Sequence, residues 1–499
     1  KLKEKLFTIC WEMNLRNLTD DNLKLPYYID KKEIDAIFHY LNKIQLKKIA
    51  TKPQVGMVNG LYATQMGLGG ITKEIINKYE SNLNVIDLKR IGEIETITKH
   101  DVKAKIQAFN ESAQISGNEE QIHRGMTSRD LTDNVEQYQI LCASKIIMGK
   151  KTSLLNKLLD LADKYEKTYI VARTHHQPAQ LTTFGKRISF IAEELLYHIK
   201  KFDFFIEQYP LRGIKGPVGT QVDMLNLLGS DKKVYDLEKM VAHELGFEQV
   251  LDSVGQIYPR SLDFDLVSNL VGLSSASENF TNTIRLMAGY NLLTEGFKPG
   301  QVGSAAMPHK QNTRTSERVD GFSNTLKGYL TMASIQSGNQ WEEGDVSCSV
   351  ARRVFIADAF YAIDGQLEST LNIVNNLGIF PEVIKNEISD WLPFLASTLF
   401  LTYLTETGFG REEAHLLIKE ISVQEALYVR DGKKNNLINS LAENSKIKGA
   451  GIKLFDLYSL INLKDDMIGT TYSQIERVRE KSMPMIKKYG SDYNSRDIL

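Results

Sequence analysis

The chain has 499 residues, 42% of them hydrophobic and 25% charged, an ordinary composition for water-soluble material. Its 61 Lys and Arg against 62 Asp and Glu leave a formal charge of −1, which excludes a globally basic nucleic-acid coat but not a local anion pocket. Cys10, Cys142 and Cys348 are scattered and make neither a metal-ligand pair nor a disulfide framework, so a reducing compartment is expected.

The opening KLKEKLFTICWEMNL soon meets Glu12 and lacks the long apolar segment of a signal peptide. Up to about residue 125, short helical patterns are broken by Pro53, by Gly67, Gly69 and Gly70, and by ISGNEEQ. No convincing periodicity runs from Ile49 to Gly70, and the fold of that stretch stays open. Asp133-Asn134 can cap a long helix that carries Val135, Tyr138, Leu141, Ile146, Leu154, Leu158 and Leu161 and meets no proline before Pro178. A second helix is predicted from near Thr182 through Ile188, Ile191 and Leu195 towards Phe205. The third spans Ser261 to Leu293, where Gly272, Ser274, Ser275 and Ala276 let a neighbouring helix approach closely. The fourth runs from about Glu317 through Ile335 and the fifth from Ser349 through Leu371. Five such helices predict a long bundle, and the small-residue run suggests that it packs against others.

From Pro381 onward shorter amphipathic segments return, broken at DGKKNN and ENSKIKGAG. The most membrane-like stretch, Trp391 to Leu404, contains Pro393 and is shorter than the ~20 residues of a spanning helix. The reading is an all-α, cytoplasmic enzyme of about three mainly helical domains, at 1–127, 128–379 and 380–499.

Five polar segments fall where the helices stop: TKHDVKA (98–104), GMTSRDLTDN (125–134), ARTHHQPAQLTTFGKR (172–187), GQIYPR (255–260) and PGQVGSAAMPHKQNTRTSER (299–318). In the last, Gly300 and Gly303 permit bends, and Pro308 stiffens the way into Lys310, Asn312, Arg314, Glu317 and Arg318. A flexible stretch with one hydroxyl, followed by cations and amides, suits a loop closing over an anion. It lacks the order of a nucleotide P-loop, and His243-Glu244 is no H-E-x-x-H because position 247 is Phe. Neither a metal nor a cofactor is expected. His39, His198 and His415 stand alone and are read as structural. His175 differs, because Thr174, Gln177, Gln180, Thr182, Thr183, Lys186 and Arg187 surround it. Ser349 and Arg353 are four apart, so one helix face offers a hydroxyl and a guanidinium to one anion.

Together these segments resemble the fumarase/aspartase lyase superfamily, whose signature stands here as GSAAMPHKQN, Gly303 to Asn312. KHDV, MTSRDLTDN, THHQPAQLTTFGKR, LRGIKGPVGTQ, GQIYPR and TRTSER are similar to the branch acting on succinylated purine nucleotides. The resemblance covers roughly Ile71 to the last residue. It implies three mainly helical domains and a homotetramer whose central helices join, with each active site drawn from three chains. It further implies anti β-elimination of fumarate from adenylosuccinate, giving AMP, and from the succinylated aminoimidazole carboxamide ribotide (SAICAR), giving AICAR.

By the same resemblance Ser304 is the base, and Lys310 and Asn312 stabilise the dianionic carboxylate. His175 is the general acid, with Glu317 orienting its imidazole. Lys99, His100, Asp101, Thr127, Ser128 and Gln256 contact the succinyl or nucleotide part, and Arg318, Ser349 and Arg353 hold the nucleotide end. Ala305 replaces the second serine of the family's pair. The family's N-terminal Arg-Tyr pair has no counterpart in the first 60 residues, Thr313 stands where Pro is common, and Gly344 stands where some relatives carry arginine. Arg352 or a cation of the signature stretch is expected to compensate. The alternatives are another fumarate-releasing lyase, such as an argininosuccinate lyase, and an inactive helical scaffold. LRGIKGPVGTQ and TRTSER argue against the first, and the presence of Ser304, His175 and Lys310 argues against the second.

Overall fold

The structure, a computed structural model, describes residues 72–82, 85, 87–297, 306–307, 309–462 and 465–495. The stretch Ile49 to Gly70, and with it the region of the absent Arg-Tyr pair, lies outside the described residues. Among the described residues three helices come first, α1 (Lys73–Ser81), α2 (Leu88–Thr98) and α3 (Asp101–Ser112). The long α4 (Ser128–Lys164) leads into a hairpin of β1 (Tyr169–Thr174) and β2 (Gln177–Thr183), then α5 (Phe184–Gln208). After α6 (Val222–Leu228) and α7 (Asp231–Glu244) come α8 (Ser261–Gly289), β3 (Leu293–Thr294), α9 (Arg314–Gln336), α10 (Ser347–Asn376) and β4 (Gly378–Ile379). The remainder is helical: α11 (Pro381–Leu395), α12 (Ser397–Glu406), α13 (Arg411–Arg430), α14 (Leu437–Glu443), α15 (Ser445–Gly449), α16 (Leu454–Asn462) and α17 (Thr471–Tyr489). The fold is all-α and multi-helix, as expected, with two small antiparallel β pairs beside the helices among the described residues.

All five expected long helices form, but the first starts earlier than its caps suggest. Thr127 is the N-cap of α4, and its N–H donates to the Asp130 carboxylate at 2.6 Å. Asp133 and Asn134 are instead buried within the helix, where a polar side chain must find tertiary partners. Asp133 accepts from Arg260 at 3.0 Å, and Asn134 exchanges two hydrogen bonds with the Gly213 backbone. Thr183 caps α5 by accepting from the Lys186 N–H. A Cβ at Gly185 would lie 2.3 Å from the Ala162 carbonyl, so glycine lets α5 start against the end of α4. The third helix stops at Gly289, where the chain turns through Asn291 at positive φ to put Leu293 in β3.

One continuous apolar core runs through α4, α5, α8, α9 and α10, while a separate one lies among α12 to α16 around Phe400, Leu417 and Leu441. The small residues of α8 are used inside the chain. A Cβ at Gly272 would lie 2.6 Å from His198 Nδ1 on α5, and Gln366 of α10 donates to both Ser274 and Ser323 at 2.7 Å. On α5, Phe190, Tyr197 and Phe204 recur every seventh residue, on one side, and are 59%, 60% and 66% exposed.

A polar layer interrupts the core midway along α4. Lys150 Nζ donates to Asp364 and to Glu368, the latter at 2.7 Å. The segment after α17 closes this layer: Tyr493 O–H donates to Glu368, Tyr493 N–H to Ser153 Oγ, and Thr152 Oγ1 to the Gly490 carbonyl. Beside it Lys151 donates to the Leu273 carbonyl, and burial pushes its pKa down to about 7. Among the described residues no helix is long and apolar enough to cross a membrane; the Trp391 to Leu404 stretch is divided between α11 and α12.

Candidate active site

The long helices alternate in direction, so their ends gather the polar segments into two clusters. One cluster holds the starts of α4, α8 and α10. Gln137 Nε2 donates to the Pro210 carbonyl there, Arg260 pairs with Asp133, and Arg129 reaches α10. The other holds the β1–β2 turn, the end of α8 and the start of α9. At 1.5 Å per residue, the 29 residues of α8 hold the two clusters about 40 Å apart.

At the first cluster, Lys99 ends α2 in the left-handed conformation, its N–H donating to the Glu95 carbonyl. His100 is the N-cap of α3, Nδ1 accepting from the Lys103 N–H at 3.4 Å and lying 3.9 Å from the Asp101 carboxylate. His123 is within electrostatic reach of His100 and Asp130; burial pushes its imidazole below the usual range. Thr127 and Ser128 open α4. Gln256 is held by its N–H on the Glu343 carbonyl at 2.7 Å, where only glycine fits at 255 because a Cβ would lie 2.3 Å from that same oxygen.

The motif aspartates of this cluster are its framework. Asp130 is fully buried and accepts from Arg212, from the Lys215 N–H at 2.9 Å and from the Gly216 N–H at 3.1 Å. It thereby fixes LRGIKG against the helix that presents Thr127 and Ser128. Arg352 does not compensate for Gly344. It is buried and committed to Asp263 at 2.6 Å, to Glu136 at 2.8 Å and to the Tyr258 hydroxyl. The cation that reaches Ser349 is Arg129, whose Nη2 donates to Ser349 Oγ at 2.9 Å. Arg129 stands outside the expected site residues. Its signal is position: an arginine in the first turn of a helix opposes the helix dipole and needs another reason to be there.

At the second cluster, His175 and His176 form a two-residue turn with φ of 49° and 62° between paired Thr174 and Gln177, the hairpin geometry that asks for positive φ at both positions. The pairing shifts at Ala172/Arg173, leaving Ala179 as an extra residue beside Pro178, which has no N–H to offer. His176 Nε2 lies 3.1 Å from the Tyr290 hydroxyl, and the Arg173 guanidinium lies over the same ring, 4.4 Å from its centroid. His175 is exposed. Behind the hairpin Arg187 donates to the Val171 carbonyl, and burial lowers its pKa to about 10.

The buried Glu295 organises the start of α9, accepting from the Thr315 and Ser316 N–H groups at 2.9 Å and the Ser316 hydroxyl at 2.8 Å. Lys310, exposed, closes a turn onto the Met307 carbonyl; Asn312 is half-buried, Glu317 exposed and Arg318 half-buried. Ser304 lies outside the described residues, with 298–303 and 305. Within this chain no hydrogen bond or ion pair joins His175 and Glu317 among the described residues. Lys99, His100, Asp101, Thr127, Ser128, Gln256, Ser349 and Arg353 thus stand far from His175, Lys310, Asn312, Glu317 and Arg318. Among the described residues no group of three His, Cys, Asp or Glu is placed to hold a metal.

The family described as "Lyase" matches residues 33–328. The adenylosuccinate lyase of Saccharomyces cerevisiae is 30% identical over 92% of this chain and 95% of its own length. That of Schizosaccharomyces pombe is 31% identical over 79% of this chain and 82% of its own. Among solved structures, the 3-carboxy-cis,cis-muconate lactonizing enzyme of Pseudomonas putida superposes with a TM-score of 0.74 at 16% identity, covering 92% of this chain and 98% of that one. The fumarate lyase of Mesorhizobium sp. BNC1 gives 0.72 at 16% identity, covering 90% and 98%. Those two likenesses are of fold alone. With matched segments running the length of the chain, it belongs to the fumarase/aspartase superfamily of lyases, in its adenylosuccinate lyase family.

Proposed function

We infer that the protein eliminates fumarate from adenylosuccinate, releasing AMP, and from SAICAR, releasing AICAR. The observation that carries this reading is the near full-length likeness to the yeast adenylosuccinate lyase. In the proposed chemistry Ser304 takes the carbon-bound proton beside a carboxylate. Lys310 and Asn312, at the entrance of α9, hold the charge that builds on that carboxylate. The carbon–nitrogen bond breaks on the opposite face, its electrons passing to the nitrogen, which His175 protonates while Glu317 orients the imidazole. Lys99, His100, Asp101, Thr127, Ser128 and Gln256 line the pocket, with Arg318, Ser349 and Arg353 towards the nucleotide end. Purified protein given adenylosuccinate should yield AMP and fumarate in equal amounts and leave argininosuccinate intact. Arginine and fumarate from the latter alone would overturn the reading.

A homotetramer with shared sites belongs to the same proposal. One chain holds its candidate groups at opposite ends, so antiparallel copies are needed to bring a His175 end against a His100 end. The exposed aromatic stripe of α5 supports a partner on that face. The division at 127 and 379 and a cytoplasmic, reducing location complete the proposal; Cys142 and Cys348 are both free thiols. Shared sites make a specific prediction. His175→Ala and His100→Ala tetramers, each nearly inactive, should regain activity when dissociated together and reassociated. Mixed tetramers that stay inactive would sink the shared-site arrangement.

A further inference from the structure

At the start of α10 the hydroxyl of Ser349 accepts a hydrogen bond from Arg129 Nη2 at 2.9 Å. A hydroxyl engaged as an acceptor keeps its own proton to give. Arg129 is itself held from the other side, Nη1 lying 3.2 Å from Asp133, which also accepts from Arg260. Its side chain is 15% exposed, so the guanidinium is fixed by the framework. One turn along α10, Arg353 Nε is buried and has no hydrogen-bond partner. Position 344 is a glycine at φ 145° whose Cβ would meet Ile257 at 3.0 Å, and it supplies no side chain. Asp345 is in electrostatic reach of Arg129. The Ser347 hydroxyl and N–H occupy its carboxylate, at 2.7 and 2.9 Å, and hold it below the usual carboxylate range.

We propose that Arg129 is a specificity-determining ligand for the phosphate monoester of the nucleotide substrate, acting with Ser349 and Arg353. This rests on the proposed elimination from a succinylated purine nucleotide. Two guanidinium groups and one donating hydroxyl match a dianion with three acceptor oxygens, and a planar fork suits it better than a point charge. Arg129 therefore contributes to recognising the nucleotide rather than to breaking the carbon–nitrogen bond.

The test compares kcat/KM for adenylosuccinate with that for succinyladenosine, the same substrate without its phosphate, in the wild-type tetramer and in Arg129→Gln. The preference for the nucleotide should fall about tenfold to a hundredfold in the variant, the range for hydrogen bonds to a charged group. Most of the change should appear in KM. Arg129→Lys, which keeps the charge but not the fork, should lie between the two and serves if the glutamine variant folds poorly. A nucleotide-to-nucleoside ratio unchanged from wild type in either folded variant would overturn the assignment. Failure of the wild-type protein to release fumarate from adenylosuccinate would instead reject the reading on which it rests.

Discussion

His175→Ala should lower fumarate release from adenylosuccinate by about a hundredfold to ten-thousandfold, the span ascribed to a lost general acid. His176→Ala should retain far more activity. The two residues make an internally controlled pair, because both occupy the tip of one hairpin at positive φ and an alanine at either meets similar backbone strain. They differ in surroundings. Both are exposed, but His176 lies against the Tyr290 hydroxyl and ring, and among the described residues His175 makes no such contact. Glycine variants at both positions remove the strain and should keep the same ordering. Glu317→Gln should slow turnover less than His175→Ala, since it removes an orienting carboxylate and not the proton donor. Steady-state rates of well-assembled tetramers decide the matter. If His176→Ala proves the more damaging, the acid is not His175.

Asp130→Ala should cost about 3–5 kcal/mol of stability, the usual loss when one member of a buried ion pair is removed. Asp130 and Arg212 both have side chains with no exposure, so the guanidinium left behind is a buried cation without its carboxylate. The same substitution also strands the N–H groups of Thr127, Lys215 and Gly216. Asp130→Asn keeps the shape but turns an N–H₂ towards these donors and should recover little. Removing both charges, in Asp130→Ala with Arg212→Met, should restore part of the loss. Denaturant midpoints compared at one protein concentration will test this. A shift of the single variant worth under about 1 kcal/mol would show that water reaches Arg212.

The long helices were legible because each repeats apolar residues at helical spacing over several turns. The start of α4 was not, because Asp133 and Asn134 carry the chemistry of caps but spend it on Arg260 and the Gly213 backbone, partners distant in sequence. The hairpin escaped notice for a related reason. Its strands are six and seven residues long, and its turn is two histidines, not the asparagine–glycine pair that announces such a turn. The small-residue run of α8 was seen, but its neighbours could not be: close approach reads the same whether the partner helix is in this chain or another. Among the candidate groups, residue types were readable and ends of the bundle were not. That Ser349 meets Arg129 across 220 positions, and that Arg352 is tied up elsewhere, are facts of packing.

The polar layer at Lys150 has a consequence for the order in which the molecule is completed. Ser153 meets Tyr493 across 340 positions of chain, and Glu368 meets the same tyrosine across 125. During synthesis α4, α8 and α10 can collapse on one another long before residue 493 exists. Until it does, the lysine and its two carboxylates lack the tyrosine that donates to Glu368. Closure of the layer waits for the longest contact in sequence that it contains, so it is expected late in folding.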